Sequence, residues 1–191
     1  MNVRDVIRSR RSIRKYKQKA IERSTLEALI EGARLAPSAA NLQPLEYILV
    51  DDKELLDEVF ETLAWAAYIA PEGTPKENER PTAYIVVLIK TEDKSRLVGH
   101  DAGAAIMSIL LEAHSYGIGS CWIGSAKREE LKGILNIPNN YEIDSVIALG
   151  YPAEASIFED MTDSIKYYRD DKGVLHVPKR ALESILHING F

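Results

Sequence analysis

"AYIVVLI", residues Ala83 to Ile89, is apolar throughout and rich in β-branched side chains. Such a run suits a central strand covered on both faces, since a one-sided strand would alternate with polar residues. A strand of that kind needs helices on either side, and the flanking sequence supplies them. Leu26, Leu29, Ile30 and Ala33 recur at helical spacing behind Ser24, which forms an S-x-x-E capping box with Glu27, and Pro37 marks the stop. Leu55, Leu56, Val59, Phe60 and Leu63 make a second amphipathic helix. From about Asp101 to Tyr116 the chain is apolar nearly all round, which predicts a helix in the middle of the fold, capped by Gly117. "LEYILV" (45–50), "IGSCWIG" (118–124) and "IDSVIALG" (143–150) read as further strands, and "KREELKGIL" (127–135) as a surface helix. Val3, Val6 and Ile7 place a short amphipathic helix at the start. Strands and helices intermix, so the class is α/β or α+β, a modest sheet with helices on its faces.

The 191 residues suffice for one domain with a real core, here 1–191, and are few for two. A hydrophobic share of 46% and a charged share of 28% are ordinary for a soluble globular protein. The net charge of −5 argues against general nucleic-acid binding. No apolar stretch reaches the ~18 residues of a membrane span. A charged N-terminus in place of an apolar leader, and a lone Cys121, together lead to the expectation of a cytoplasmic protein. "PEGTPKENERP" (71–81) is the one long, flexible-looking loop.

Against this acidic background "RRSIRKY" (10–16) stands out. Arg4, Arg8, Arg10, Arg11, Arg14, Lys15, Lys17 and Lys19 face a single acid, Asp5. The segment is either a solvated basic arm or an anion site. Other chemistry falls away: the four histidines have no metal-ligand spacing, so no metal is expected, and no G-x-S-x-G elbow is present. "GIGSCWIG" lacks a dinucleotide fingerprint, because Trp122 stands where glycine is needed and the run follows a helix. It fails as a P-loop too, because Ser125 and Ala126 replace the Lys and Ser/Thr. Cys121 beside Trp122 reads as a small core residue.

Four segments resemble one family. "RRSIRKY", "APSAANLQP" (36–44), "SYGIGSCWIG" with the later "ALGYP", and "VPKRALESIL" (177–186) are similar, in order and spacing, to motifs of the nitroreductase-like flavoproteins. That group includes the iodotyrosine deiodinases and the flavin-cleaving enzyme of cobalamin synthesis. The resemblance implies a central, mostly antiparallel sheet flanked by helices, in a homodimer whose C-terminal extension is exchanged between subunits. It implies FMN as cofactor, with Arg10 reaching the phosphate, Lys179 or Arg180 closing from the other end of the chain, and Ser12 supplying a hydroxyl. Arg14 would lie at the pyrimidine edge of the ring, where a positive charge favours the reduced flavin. Arg11 either binds or only flanks. Pro37, Ser38, Ala39, Asn41 and Gln43 match a loop that contacts the flavin, commonly that of the partner subunit; Ser38 also reads as a turn residue and Gln43 as surface. Trp122, Ile123 and Gly124 match a segment passing one face of the ring and offering a backbone N–H toward N5.

The implied activity is hydride transfer from NADH or NADPH through flavin N5 to a small oxidised acceptor such as a nitroaromatic or quinone, in ping-pong fashion and with no catalytic side chain. The alternatives keep the flavin but change the reaction, to reductive dehalogenation or flavin cleavage, or make the protein a store or sensor of FMN. The apolar tail residues Ile185, Ile188 and Phe191 suggest a C-terminal strand added to the partner's sheet.

Overall fold

The computed structural model describes residues 2–93 and 95–191. Strand β3 (Ala83–Lys90) is buried from Ala83 through Ile89, and it sits between β2 (Leu45–Val50) and β5 (Tyr141–Pro152), antiparallel to both. β4 (Gly119–Ile123) and the two-residue β1 (Tyr16–Lys17) also pair antiparallel with β5, completing a five-stranded sheet.

The pleat of β3 divides the core in two. Ala83, Ile85 and Val87 pack with Leu26, Leu29 and Ala33 of α2 (Arg23–Arg34) and with Ile106 and Ile109 of α4 (Val98–Ser115). Tyr84, Val86 and Leu88 pack with Val59 and Phe60 of α3 (Lys53–Glu61) and Leu131 of α5 (Arg128–Ile134). A two-sided strand follows directly from its unbroken apolar run. Each fully buried Val, Leu or Ile contributes roughly 1.5–3 kcal/mol.

Caps set the helix ends. Asp52 accepts the N–H groups of Glu54 (3.0 Å) and Leu55 (3.2 Å) to start α3, and Asn2 accepts that of Asp5 (3.0 Å) to start α1 (Val3–Ser9). The capping box expected at Ser24 is not formed. α2 begins at Arg23 with Glu22 as N-cap and no side-chain cap, because the Glu22 carbonyl already receives Thr25 and Leu26 N–H. α1 buries Val6 alone, leaving Val3 (72%) and Ile7 (54%) exposed.

Two regions differ from the sequence reading. Within 71–81, Gly73, Pro75 and Pro81 are buried, and the segment is tied down by Arg80. Arg80 bridges Asp57 (2.8 Å) and Glu61 (2.9 Å) and lies 4.0 Å over the Phe60 ring. After β5 comes an unforeseen small sheet in which β8 (Leu175–Lys179) lies between β6 (Ser156–Asp160), parallel to it, and β7 (Tyr168–Arg169), antiparallel. Its strands are short and charged, and Pro178 argues against a strand in sequence. The tail forms a 3-10 turn (Leu182–Ser184) where a strand was expected, and Ile185, Ile188 and Phe191 are all exposed. No described helix is long and apolar enough to cross a membrane.

Candidate functional site

The cationic segment is pressed onto the sheet by its two apolar members. Ile13 N–H donates to Ser120 O (2.9 Å). Tyr16 is fully buried, its hydroxyl donating to Ile13 O and, at 3.4 Å, to Ala148 O. Glycine makes the approach possible: a Cβ on Gly119 would lie 2.9 Å from Ile13 Cβ, and one on Gly150 2.7 Å from Tyr16 Cδ1. With Ile13 and Tyr16 turned inward, Arg10, Ser12 and Arg14 rise on the rim.

There they line a cavity of about 190 Å³ together with Tyr167 and Lys179. Arg10 is partly buried and its guanidinium, among the described residues, has neither a hydrogen bond nor an ion pair. Burial pushes its pKa down, the mark of a cation without a counter-charge. Arg11 also lines the cavity, but its guanidinium donates to Arg8 O and Arg10 O and sits 4.9 Å over the Phe158 ring. Burial and the neighbouring Arg10 both lower its pKa. Both C-terminal cations are exposed, but Lys179 lines the cavity, whereas Arg180 turns away and donates to Ser184 O (2.5 Å).

Arg14 also walls a second cavity, of about 130 Å³, with Trp65, Trp122, Gly124 and Ser125. Trp122 is 43% exposed; its indole N–H donates to Ser145 Oγ (2.8 Å), which donates to Asp144 Oδ2 (2.8 Å). A β-bulge sets this up: Val87 opposes Ser145 and Leu88 opposes Ile143, so Asp144 is the extra residue. Ile123 and Cys121 line the same cavity but are themselves buried, and burial pushes the Cys121 thiol up. A raised thiol is a poor nucleophile.

The segment 37–44 lies elsewhere. Pro37, Ser38 and Gln43 line a cavity of about 160 Å³ with Asp101 and Tyr47, which shares no lining residue with the other two. Burial pushes the Tyr47 phenol up to about 12, so it stays a neutral donor. Ala39 N–H donates to Asp101 Oδ1 (2.8 Å) and Gln43 N–H to Ser38 Oγ (3.1 Å). Asp101 is 4% exposed and its Oδ2 has no partner among the described residues. Ala40, Asn41 and Gln43 hold φ of 48°, 55° and 52°, a left-handed conformation costing roughly 1–3 kcal/mol per residue. Asn41 is exposed and lines none of these cavities.

The Nitroreductase family profile matches residues 7–151, most of the chain. This chain belongs to the Nitroreductase family. It is 34% identical over 167 residues to a provisionally named NADH dehydrogenase/NAD(P)H nitroreductase of Archaeoglobus fulgidus, covering 83% of this chain and 90% of that one. An iodotyrosine deiodinase of Haliscomenobacter hydrossis is 24% identical, with 80% of each chain covered. Among solved structures, an FMN-dependent nitroreductase of Clostridium difficile superposes with a TM-score of 0.71 at 28% identity, covering 97% of this chain and 98% of that one. The antiparallel sheet and its flanking helices are those of the nitroreductase fold.

In this family member the sequence reading missed several residues beside the expected ones. Glu154, Arg169, Tyr167, Trp65 and Asp101 all touch the cavities or the segments that form them. Asp101 was visible as the one carboxylate in the apolar stretch Asp101 to Leu111. Glu154 acts across 140 residues of sequence and carries no local signal, and Arg169 reaches the segment only through it. Among the described residues no cluster of His, Cys, Asp or Glu is arranged to hold a metal.

Proposed function

We propose that the protein is an FMN-dependent NAD(P)H oxidoreductase that reduces a small oxidised acceptor such as a nitroaromatic or quinone. The observation that carries this reading is Arg10, a partly buried guanidinium without a counter-charge, converging with Ser12 and Lys179 on one cavity. That donor set fits a phosphate, which takes planar, charge-assisted bonds from guanidinium.

The chain would hold the cofactor at both ends. Arg10, Ser12 and Lys179 bind the phosphate, and Arg14 brings a positive charge to the pyrimidine edge of the ring. Trp122, Ile123 and Gly124 offer main chain along one ring face, while Trp65 and Trp122 keep water from it. FMN, when bound, supplies the hydride acceptor and donor. No histidine lines the two Arg14 cavities, so the chain contributes position, charge and exclusion of water. Pro37, Ser38, Ala39, Asn41 and Gln43 serve the site of a second copy, since within one chain Pro37, Ser38 and Gln43 face a separate cavity and Asn41 is exposed. A homodimer also covers the exposed Val3, Ile7, Ile185, Ile188 and Phe191.

The visible spectrum of the purified protein tests the cofactor, and NAD(P)H turnover tests the activity. Bound FMN with parallel double-reciprocal lines is expected, because donor and acceptor use one open face in turn. Colourless protein that binds no FMN ends the reading. The deiodinase relative makes halogenated phenols the informative rival acceptors: faster turnover on them than on nitroaromatics reassigns the reaction. Removing residues 184–191 is expected to give monomer with less flavin by size-exclusion chromatography; a dimeric, fully yellow product counts against tail exchange.

A further inference from the structure

Arg14 is held from two directions by one short segment. Its backbone N–H and that of Lys15 donate to Glu154 Oε1, at 2.5 and 3.1 Å, and Arg169 pairs with Oε2 of the same carboxylate. The Glu154 side chain is 3% exposed. Arg169 also donates to Gly173 O (2.9 Å), which fixes it to the turn after β7. Two residues earlier, the Tyr167 ring lies 5.1 Å from the Arg14 guanidinium, and Tyr167 in turn meets Tyr68 at 5.0 Å. The backbone and the head of Arg14 therefore both answer to residues 167–169.

A buried ion pair adds little stability over apolar residues of the same size, and in some proteins its role is to fix a geometry. What is fixed here is the one residue that walls both cavities. An arginine side chain left free spreads its charge over many rotamers, whereas one resting on an aromatic face is oriented. We propose that Tyr167 and the Glu154–Arg169 pair are positioning residues for Arg14, and so set how strongly the site prefers reduced over oxidised FMN. This rests on the FMN reading above. Arg14 supplies the charge; Tyr167 and Glu154 decide where that charge stands.

The test compares Tyr167→Leu, Tyr167→Phe and Glu154→Gln by the midpoint potential of bound FMN, with thermal midpoints as a control for folding. Tyr167→Leu removes the ring face and is expected to lower the preference for reduced FMN about tenfold, or ~30 mV for a two-electron couple. Tyr167→Phe keeps the face and restores the wild-type potential. Glu154→Gln, where it folds, moves the potential in the same direction as Tyr167→Leu. In an Arg14→Gln background, Tyr167→Leu has no further effect, because the two act through one group. A Tyr167→Leu protein with the wild-type potential, or with an undiminished shift in the Arg14→Gln background, overturns the proposal alone. Wild-type protein that binds no FMN overturns the cofactor reading and this proposal together.

Discussion

The segments 10–16 and 37–44 are both polar, both close to the sheet, and built in opposite ways. The first is anchored by a fully buried Tyr16, by Ile13 on Ser120, and by Glu154 on two successive N–H groups. The second rests on Asp101 through Ala39 and holds three residues in a left-handed conformation with its tip exposed. Segment 10–16 converges on a cavity that the chain itself completes. Segment 37–44 spends conformational energy to present Asn41 away from the three cavities described. Strain of that kind persists where surroundings over-determine it, and it clusters at functional sites, which is why the loop enters the proposal above.

Breaking the anchor of the first segment should have the largest effect. Tyr16→Ala removes a fully buried ring and is expected to destabilise the protein by about 3–5 kcal/mol, read from urea unfolding, with flavin lost in parallel. Tyr16→Phe, which loses only the hydroxyl, should cost about 1 kcal/mol. Next in size is Arg10→Ala. It should weaken FMN binding by about 1.5–3 kcal/mol, roughly 10- to 150-fold by titration, with no loss of stability since the guanidinium has no partner to forfeit. Unchanged affinity would move the phosphate elsewhere.

Asp101→Ala probes the second segment. It leaves Ala39 N–H without an acceptor, and about 1–2 kcal/mol of stability should go with it. Asp101→Asn, which keeps an acceptor, should recover most of that. If the loop serves a partner's site, flavin occupancy falls in the Ala variant while Arg10 and its cavity stay intact; undiminished occupancy would make the two segments independent.

The smallest effect lies in the sheet that carries Lys179. His176 bridges Glu159 (2.7 Å) and Asp170 (3.4 Å), and its pKa is raised above the usual 6.5, chiefly by the Glu159 hydrogen bond. A raised folded value means that its contribution is full below pH 6.5 and fades as pH rises through the folded pKa. Glu159 is lowered from 4.5, first by His176, and Asp170 from 3.8, first by Val174 N–H. Their contributions are present above those ordinary values and fade as pH falls through the folded ones. His176→Gln should therefore flatten the fall in urea midpoint above pH 6.5 without changing FMN affinity at pH 8; an unaltered pH profile would show the bridge to be energetically silent.

How much of this was legible followed from range in sequence. The unbroken run 83–89 gave a two-sided strand, and Leu26, Leu29 and Ala33 a buried helix face, because both are local periodicities. Arg10 and Arg14 stood out as cations in an acidic chain, with Ser12 between them. What stayed hidden was held by distant partners. Glu154 reads as an ordinary acid until Arg14 is folded against it, and Tyr167 as one of nine tyrosines until its ring meets a guanidinium. The small sheet escaped because Pro178 and its charged neighbours mimic a loop. Ser24 misled for the opposite reason: a correct local motif was outvoted by chain entering two residues earlier, through the Glu22 carbonyl.

The chain contains two tryptophans, Trp65 and Trp122, and both wall the same cavity beside Arg14. Its tryptophan emission is therefore a signal from one place. Whatever enters that cavity changes the surroundings of both indoles at once, and a flavin there would take up their excitation directly. The protein carries its own optical gauge of occupancy, usable in a titration without a label.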